Sequence, residues 1–206
     1  MKKITAIIAQ EKNKKRVNVY LDGEFYCGMN LFTVLSNRLK AGDEVDEARL
    51  AEISFEDNYS AALDLALNYI SRSMRTKMQM IVYLKKKGFE GRVIARVIDK
   101  LEEYDYINDS VYARKYAAEK SRSSGKRKIA FELKIKGVEE KISDEVLGED
   151  FSEEEGCYNV AVKYLKGKPV DFETRQRCYR YLLGKGFSYE TARSALDRVL
   201  GEYEDN

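Results

Sequence analysis

Apolar residues recur at intervals of three and four positions through most of the chain beyond residue 60, a spacing that places them on one face of an α-helix. A first helix is indicated by Leu63, Ala66, Leu67 and Ile70. A second helix is predicted from about Met74 to Lys87. A third helix is indicated by Ile94, Val97, Ile98 and Leu101. The pattern therefore predicts a unit of three short helices.

The same pattern occurs three times, with a period of 49 residues. Its clearest markers are three tripeptides, Lys87-Gly88-Phe89, Lys136-Gly137-Val138 and Lys185-Gly186-Phe187. The same 49-residue spacing aligns three leucines, Leu84, Leu133 and Leu182. It also aligns three basic residues, Lys77, Lys126 and Arg175. Each tripeptide is a helix stop, because lysine suits the negative end of the helix dipole and glycine adopts the left-handed cap conformation. Several columns in one register indicate three copies of one three-helix unit.

The second copy has two local features of its own. Asn108 or Asp109 is a good N-cap for a helix that carries Tyr112 and Tyr116. These tyrosines are candidates for base stacking, but core packing is the favoured interpretation. The third helix of this copy is predicted to be shorter, since Asp150 stands where its apolar stripe would continue.

The first 58 residues follow a different pattern, which predicts a small β-rich domain with a helical link. Residues 4–9 are typical of a strand, and apolar residues alternate with polar ones from Val17 to Leu21. Asp22-Gly23 marks a tight hairpin turn. Short helical stretches are expected around residues 31–39 and 46–55. We therefore predict a mainly α fold whose domains are 1–58, 59–108, 109–151 and 152–206.

Composition narrows the possible functions. The 206 residues include no histidine, which removes the commonest general base and the commonest transition-metal ligand. There is no phosphate-binding loop, and consecutive acids such as Glu153, Glu154 and Glu155 point in different directions on a helix. The three cysteines lack CxxC spacing and are interpreted as reduced thiols, and no export signal is evident. We expect a cytoplasmic protein without catalytic activity, cofactor or metal.

The charge is strongly segregated although the net charge is only +2. Seven basic residues and one acid lie between residues 120 and 136, followed by nine acids and one lysine between residues 139 and 155. Cations in the first turn of a helix oppose its dipole at roughly 0.3–1 kcal/mol each, so a binding partner explains their recurrence better than stability does. Their reversal to glutamate is expected to stabilise the helix and to weaken binding. The candidate binding residues are Lys77, Arg122, Lys126, Arg127, Lys128 and Arg175.

Both phosphates and carboxylate-rich protein surfaces would suit these cations. A pI of about 8.2 is low for a protein that reads duplex DNA on its own, and no helix offers an obvious base-reading set. This favours a protein partner with nucleic acid nearby. The alternative is a direct DNA-binding protein built from helix-turn-helix-like units.

Over nearly its whole length the chain resembles the RecX family of bacterial recombination regulators. The resemblance is most specific in four segments, which occur in this order: Tyr106-Ile107-Asn108-Asp109, Tyr112-Ala113, Gly125 through Leu133 and Lys136-Gly137-Val138. The resemblance implies three tandem three-helix repeats that form an elongated curved rod. It also implies a monomer, with no membrane association, that binds RecA and the RecA filament on single-stranded DNA. Such a protein lowers recombinase, ATPase and co-protease activity in DNA repair, homologous recombination and the SOS response.

Overall fold

The computed structural model describes residues 1–11, 13–169 and 171–204, and side chains are described as far as residue 201. The last residues of the predicted 152–206 repeat therefore lie outside the described part. The chain divides into two compact units, residues 1–73 with 80–106 and residues 74–79 with 107–206. The helices greatly outnumber the strands, and this confirms the mainly α class.

The N-terminal region contains a four-stranded antiparallel sheet in the order β3-β2-β1-β4. Its elements are β1 (Lys2–Ala9), β2 (Arg16–Leu21), β3 (Glu24–Asn30), α1 (Leu31–Ser36) and β4 (Glu44–Val45). The predicted hairpin is confirmed: Asp22 and Gly23 connect β2 to β3 with φ angles of 50° and 92°. Positive φ at both residues matches the right-handed twist of the paired strands. The small core of this sheet contains Ile4, Val17, Val19, Leu21, Met29, Val34 and Leu50.

A single long helix, α2 (Glu47–Ile70), replaces the two shorter helices that the sequence suggested around residues 46–55 and 63–70. Its N-terminal half belongs to the sheet domain, because Asp57 is buried there. The Asp57 carboxylate accepts the Asn30 backbone N–H at 3.0 Å and lies 3.7 Å from the Arg16 guanidinium. The expected boundary after residue 58 therefore falls within one continuous helix.

Eight further helices complete the three-helix repeats. They are α3 (Lys77–Lys86), α4 (Gly91–Glu103), α5 (Asp109–Lys120), α6 (Lys126–Ile135), α7 (Glu140–Val146), α8 (Glu154–Leu165), α9 (Phe172–Gly184) and α10 (Tyr189–Glu204). The C-terminal half of α2 supplies the first helix of repeat 1. The helix α7 has 7 residues, against 13 in α4 and 16 in α10, so the prediction of a shortened third helix in repeat 2 is confirmed.

The three repeated tripeptides end their helices as predicted. Gly88, Gly137 and Gly186 have φ angles of 87°, 81° and 87°. In the first repeat, the Phe89 N–H donates to the Leu84 carbonyl at 3.3 Å, and the second and third repeats have the equivalent bond. This backbone pattern is a Schellman cap, which satisfies carbonyl groups at the helix end and turns the chain toward the next helix.

The start of α3 lies three residues later than expected. The Thr76 hydroxyl accepts the Gln79 backbone N–H, and the Gln79 side chain accepts the Thr76 N–H, both at 3.2 Å. This reciprocal pair is a capping box, and it sets the first helical residue at Lys77 rather than Met74. At α5 the N-cap is Asn108, whose side chain accepts the Val111 N–H.

Two other sequence interpretations concern packing. Tyr112 and Tyr116 are half-buried, stack on each other with ring centroids 6.0 Å apart, and pack against the core of repeat 2. This geometry supports core packing over base stacking. Cys157 and Cys178 are free thiols in the core of repeat 3, where burial raises their pKa values to about 12 and about 11.

Candidate functional site

The six candidate residues lie at the starts of the second helices and in one loop. Lys77 and Lys126 are the first residues of α3 and α6, and Arg175 lies in the first turn of α9. Four of the six lie in one short segment, from the loop after α5 into α6: Arg122, Lys126, Arg127 and Lys128. Each of the other two repeats contributes one of the six candidates, Lys77 and Arg175. The candidate site with the highest density of charge is therefore at the start of α6.

The start of α6 is capped by a carboxylate from the following repeat. Gly125 has no side chain to cap the helix, and instead the Lys126 N–H donates to Glu153 Oε2 at 2.6 Å. The other oxygen of the same carboxylate accepts the Ser188 N–H at 2.8 Å. Glu153 is only 9% exposed. A negative charge here offsets the positive end of the helix dipole.

An equivalent contact occurs one repeat earlier, where the Lys77 N–H donates to Asp109 Oδ1 at 2.9 Å. The cations at the starts of α3 and α6 are therefore accompanied by acids that the sequence pattern did not reveal. This weakens the energetic argument that only a binding partner explains these cations. It also changes the expected effect of reversal, because a glutamate at Lys126 would stand beside the Glu153 carboxylate.

Two of the three tripeptide turns have a second role, because each contacts the helix start of the preceding repeat. Gly125 N–H donates to the Lys185 carbonyl at 3.0 Å, and Arg127 N–H donates to the Gly186 carbonyl at 3.2 Å. A Cβ atom on Gly125 would lie 2.2 Å from the Phe187 nitrogen, so the two backbones are in direct contact. We call this contact between the α6 start and the Lys185-Gly186-Phe187 turn the 2–3 joint.

The corresponding contact between repeats 1 and 2 uses side chains. The Thr76 hydroxyl donates to the Lys136 carbonyl at 2.6 Å. The Met78 side chain lies so close to Gly137 that a Cβ there would be 2.3 Å from it. By contrast, a Cβ on Gly88 would meet no atom within 4 Å in the described part of the chain. In the described part of the chain, the turn of repeat 1 therefore caps its helix but does not contact the helix start of another repeat.

Five cations around α6 have no acidic partner among the described residues: Arg122, Lys126, Arg127, Lys128 and Lys134. We call them the α6 cation cluster. All are exposed except Lys128, which is half-buried against Gly186. Some other surface cations are paired, as in Arg198 with Glu155 at 3.1 Å. The α6 cation cluster is therefore available to an anionic partner.

The remaining charges of this basic segment are used internally. Lys120 and Lys136 lie 5.5 Å and 5.0 Å from the centre of the Tyr116 ring. The Tyr116 hydroxyl donates to Glu132 at 2.5 Å. Burial, followed by this bond to a carboxylate, raises the pKa of Tyr116. The single acid of the segment is thus engaged by a tyrosine and does not neutralise the α6 cation cluster.

In repeat 3, Arg175 lines a cavity of about 450 Å³ between α9 and α10. Phe172, Tyr179, Arg193 and Leu196 share this lining. Arg175 is half-buried, so its setting differs from that of the exposed Lys77 and Lys126. Across the described residues, no cluster of three or more potential metal-ligating side chains occurs. None of the described helices has the length and hydropathy needed to cross a bilayer.

Comparison with known proteins places each part of the chain. The protein family described as "Regulatory protein RecX N-terminal domain" matches residues 2–46. Descriptions of the first, second and third three-helix domains of RecX match residues 62–101, 108–147 and 152–196. The prediction of three three-helix repeats after a small β-rich domain is thereby confirmed.

Individual relatives align over nearly the whole chain. The regulatory protein RecX of Clostridium tetani is 35% identical, with 96% of this chain and 94% of the relative covered. That of Clostridium acetobutylicum is also 35% identical, with 97% of both chains covered. A crystal structure of regulatory protein RecX superposes with a TM-score of 0.66 at 28% identity, covering 96% of this chain and all of that one. The crystal structure of RecX from Lactobacillus salivarius superposes with a TM-score of 0.63 at 25% identity, covering 69% of this chain and 97% of that one. This protein therefore belongs to the RecX family of regulatory proteins.

Proposed function

We propose that this protein acts by binding rather than catalysis, and that its partner is the RecA recombinase in its filament on single-stranded DNA. On this proposal it restrains the recombinase, ATPase and co-protease activities of the filament. Membership of a family of regulatory proteins supports the proposal. The structural observation that carries it is the α6 cation cluster, five cations without acidic partners in the described chain. A nucleoprotein filament offers carboxylates and phosphates to such a surface.

Regulation of this kind requires only differential affinity. A protein that binds one state of the filament more tightly than another shifts the filament toward that state. The filament itself supplies the ATP chemistry, so the regulator needs no nucleotide site. The first measurement is RecA ATPase on single-stranded DNA as this protein is added. Unchanged ATPase together with no binding to the filament would refute the proposed function.

The contribution of the α6 cation cluster is tested with Arg122→Glu combined with Arg127→Glu. These positions are chosen because both side chains are exposed, whereas Lys126 adjoins Glu153 and Lys128 packs on Gly186. We expect the concentration for half-maximal ATPase inhibition to rise about tenfold, since like charges would now face an anionic partner. The matched control, Lys14→Glu with Lys15→Glu, makes the same change in net charge on an exposed loop of the N-terminal domain.

The control variant is expected to inhibit like the wild type. If the Arg122/Arg127 variant also does so at physiological salt, the site assignment is wrong, although the partner could still be RecA. Equal loss in both variants would mean that net charge, and not this surface, governs binding.

A direct DNA-binding protein is the second candidate, because the α6 cation cluster suits phosphates as well as carboxylates. The two are separated by the affinity for single-stranded DNA without RecA, measured against salt. A true DNA binder loses affinity steeply, with a slope of about 0.7 per neutralised phosphate on single strands in a double-logarithmic plot. We expect weak binding and a shallow slope.

A further inference from the structure

The outward face of α6 carries two large apolar side chains in addition to its cations. Phe131 and Ile135 are 62% and 69% exposed. They are four residues apart, so they are neighbours on the helix surface. The core of repeat 2 takes the opposite side of α6 through Ile129 and Leu133, both fully buried. Phe131 and Ile135 are therefore not part of the apolar stripe that folds the repeat.

This pair is specific to the second repeat. In the 49-residue register, the equivalents are Val82 and Lys86 in repeat 1 and Arg180 and Gly184 in repeat 3. Folding of a three-helix repeat therefore does not require apolar side chains at these positions. Phe131 and Ile135 are therefore exposed apolar side chains that the fold does not use, and they are available to contact a partner.

Cations surround this apolar pair. Arg127 lies four residues before Phe131, Lys128 lies three before it, and Lys134 lies three after it, so all three adjoin it on the helix. None has a carboxylate partner among the described residues. An apolar centre with a charged rim is the usual anatomy of a protein–protein interface. The complementary surface would be an apolar pocket bordered by carboxylates.

The composition of the pair favours protein over nucleic acid. Proteins that hold single strands stack bases on aromatic rings and follow the backbone with cations. Phe131 could stack on a base, but Ile135, the more exposed of the two, has no ring. An adjacent aliphatic and aromatic pair is instead suited to fill a pocket between protein side chains.

We propose that Phe131 and Ile135 are the centre of the docking surface for RecA protein, and that they insert into an apolar pocket rimmed by carboxylates on the filament. This inference rests on the proposed function and makes it more specific. Repeat 2 provides the main contact, and the α6 cation cluster provides its rim. The surface binds the recombinase protein, and contact with the DNA strand is secondary.

The test uses the full chain carrying Phe131→Ala and Ile135→Ala. We expect the concentration for half-maximal inhibition of RecA ATPase to rise about tenfold or more, as is typical when central apolar contacts are truncated. The melting temperature should hardly change, because both side chains are exposed. The matched control is Phe32→Ala with Leu35→Ala, an apolar pair on α1 that is 75% and 65% exposed. This control should inhibit like the wild type.

The outcomes separate the inference from the function on which it rests. If the wild type neither binds nor inhibits the filament, both the proposed function and the proposed docking surface are refuted. If the wild type inhibits and the Phe131/Ile135 variant inhibits equally well, only the docking surface is wrong. Binding to single-stranded DNA alone is the second readout. Should the variant lose DNA affinity and filament affinity by the same factor, the surface contacts the strand and the inference is overturned.

Discussion

The carboxylate of Glu153 connects two backbone segments that are distant in the sequence. It accepts N–H groups from Lys126, 27 residues before it, and from Ser188, 35 residues after it. In the sequence Glu153 stands in a run of acids and has no visible distinction from Glu154. Its role depends on which repeats meet, and the repeat pattern does not contain that information.

Glu153→Ala is expected to destabilise the protein by about 2–3 kcal/mol, because two part-buried N–H groups would lose a charged acceptor. Glu153→Gln keeps an acceptor oxygen for one of them and should lose less. Urea denaturation followed by circular dichroism measures the free energy of unfolding. The control is Glu154→Ala, an exposed neighbour, for which a change below about 0.5 kcal/mol is expected. Equal effects at both positions would show that the 2–3 joint does not depend on this carboxylate.

At the scale of elements, the features that local signals specify were predictable. The β2–β3 hairpin and the three glycine caps depend on residues within a few positions of the turn, and the sequence located all of them. The start of α3 was misplaced, although the pair Thr76 and Gln79 carried a readable capping signal. The sequence pattern predicts a domain boundary after residue 58 and therefore does not predict that α2 is continuous from Glu47 to Ile70.

The helix α9 differs from its counterparts in how it begins. It starts at Phe172, three residues earlier in the repeat register than α3 and α6. It is capped by its own Asp171, whose carboxylate accepts the Thr174 N–H at 2.8 Å. Among the described residues, no carboxylate from a following repeat performs this function. The last repeat thus caps itself.

Asp171→Ala is expected to lower the melting temperature near neutral pH. The bond from the Thr174 backbone N–H, followed by that from its hydroxyl, lowers the pKa of Asp171 below 3.8. The charged cap therefore stabilises the folded state above pH 3.8 and loses this effect as the pH falls through the lowered pKa. Thermal melts should show the difference from wild type shrinking in acid. Asp171→Asn keeps a cap that carries no charge. The difference in melting temperature between Asp171→Asn and Asp171→Ala should therefore not depend on pH. A constant Asp171→Ala effect into strong acid would contradict this account.

At the scale of the whole molecule, the joints determine how the repeats act together. Within the unit formed by residues 74–79 and 107–206, repeats 2 and 3 share the 2–3 joint, with backbone bonds, a buried carboxylate and a glycine contact. Repeats joined through such nearest-neighbour contacts unfold cooperatively when the contacts are strong. We expect repeats 2 and 3 to melt in one transition.

Gly125→Ala tests this cooperativity. Gly125 has a φ of −81°, which alanine adopts freely, but its Cβ would lie 2.2 Å from Phe187 backbone atoms. We expect a loss of about 2–4 kcal/mol and less simultaneous hydrogen-exchange protection in α6 and α9. Gly184→Ala, at a helical position where an added Cβ would meet no other part of the described chain within 4 Å, should instead stabilise by up to about 1 kcal/mol. Undiminished coupling in the Gly125 variant would refute the joint's role.

The candidate site was predictable only in part. Clustered basic residues are visible in any linear sequence, so four members of the α6 cation cluster were identified directly. Phe131 and Ile135 were missed, although their positions off the apolar stripe of Ile129 and Leu133 could have shown that they face outward. The acids at the starts of α3 and α6 required knowledge of the contacts between repeats.

The self-capped α9 also bears on how such an array can change in length over evolution. At each internal joint, the helix start of one repeat meets the turn of the next, so the array has a direction. A fourth repeat appended after α10 would have to unwind the extra first turn of α9 and replace the Asp171 cap. Duplication of an internal repeat would leave the first turn of α9 and its Asp171 cap unchanged. Longer descendants of this chain are therefore expected to gain repeats in the middle, and a comparison of repeat number with the sequence of the final repeat would reveal it.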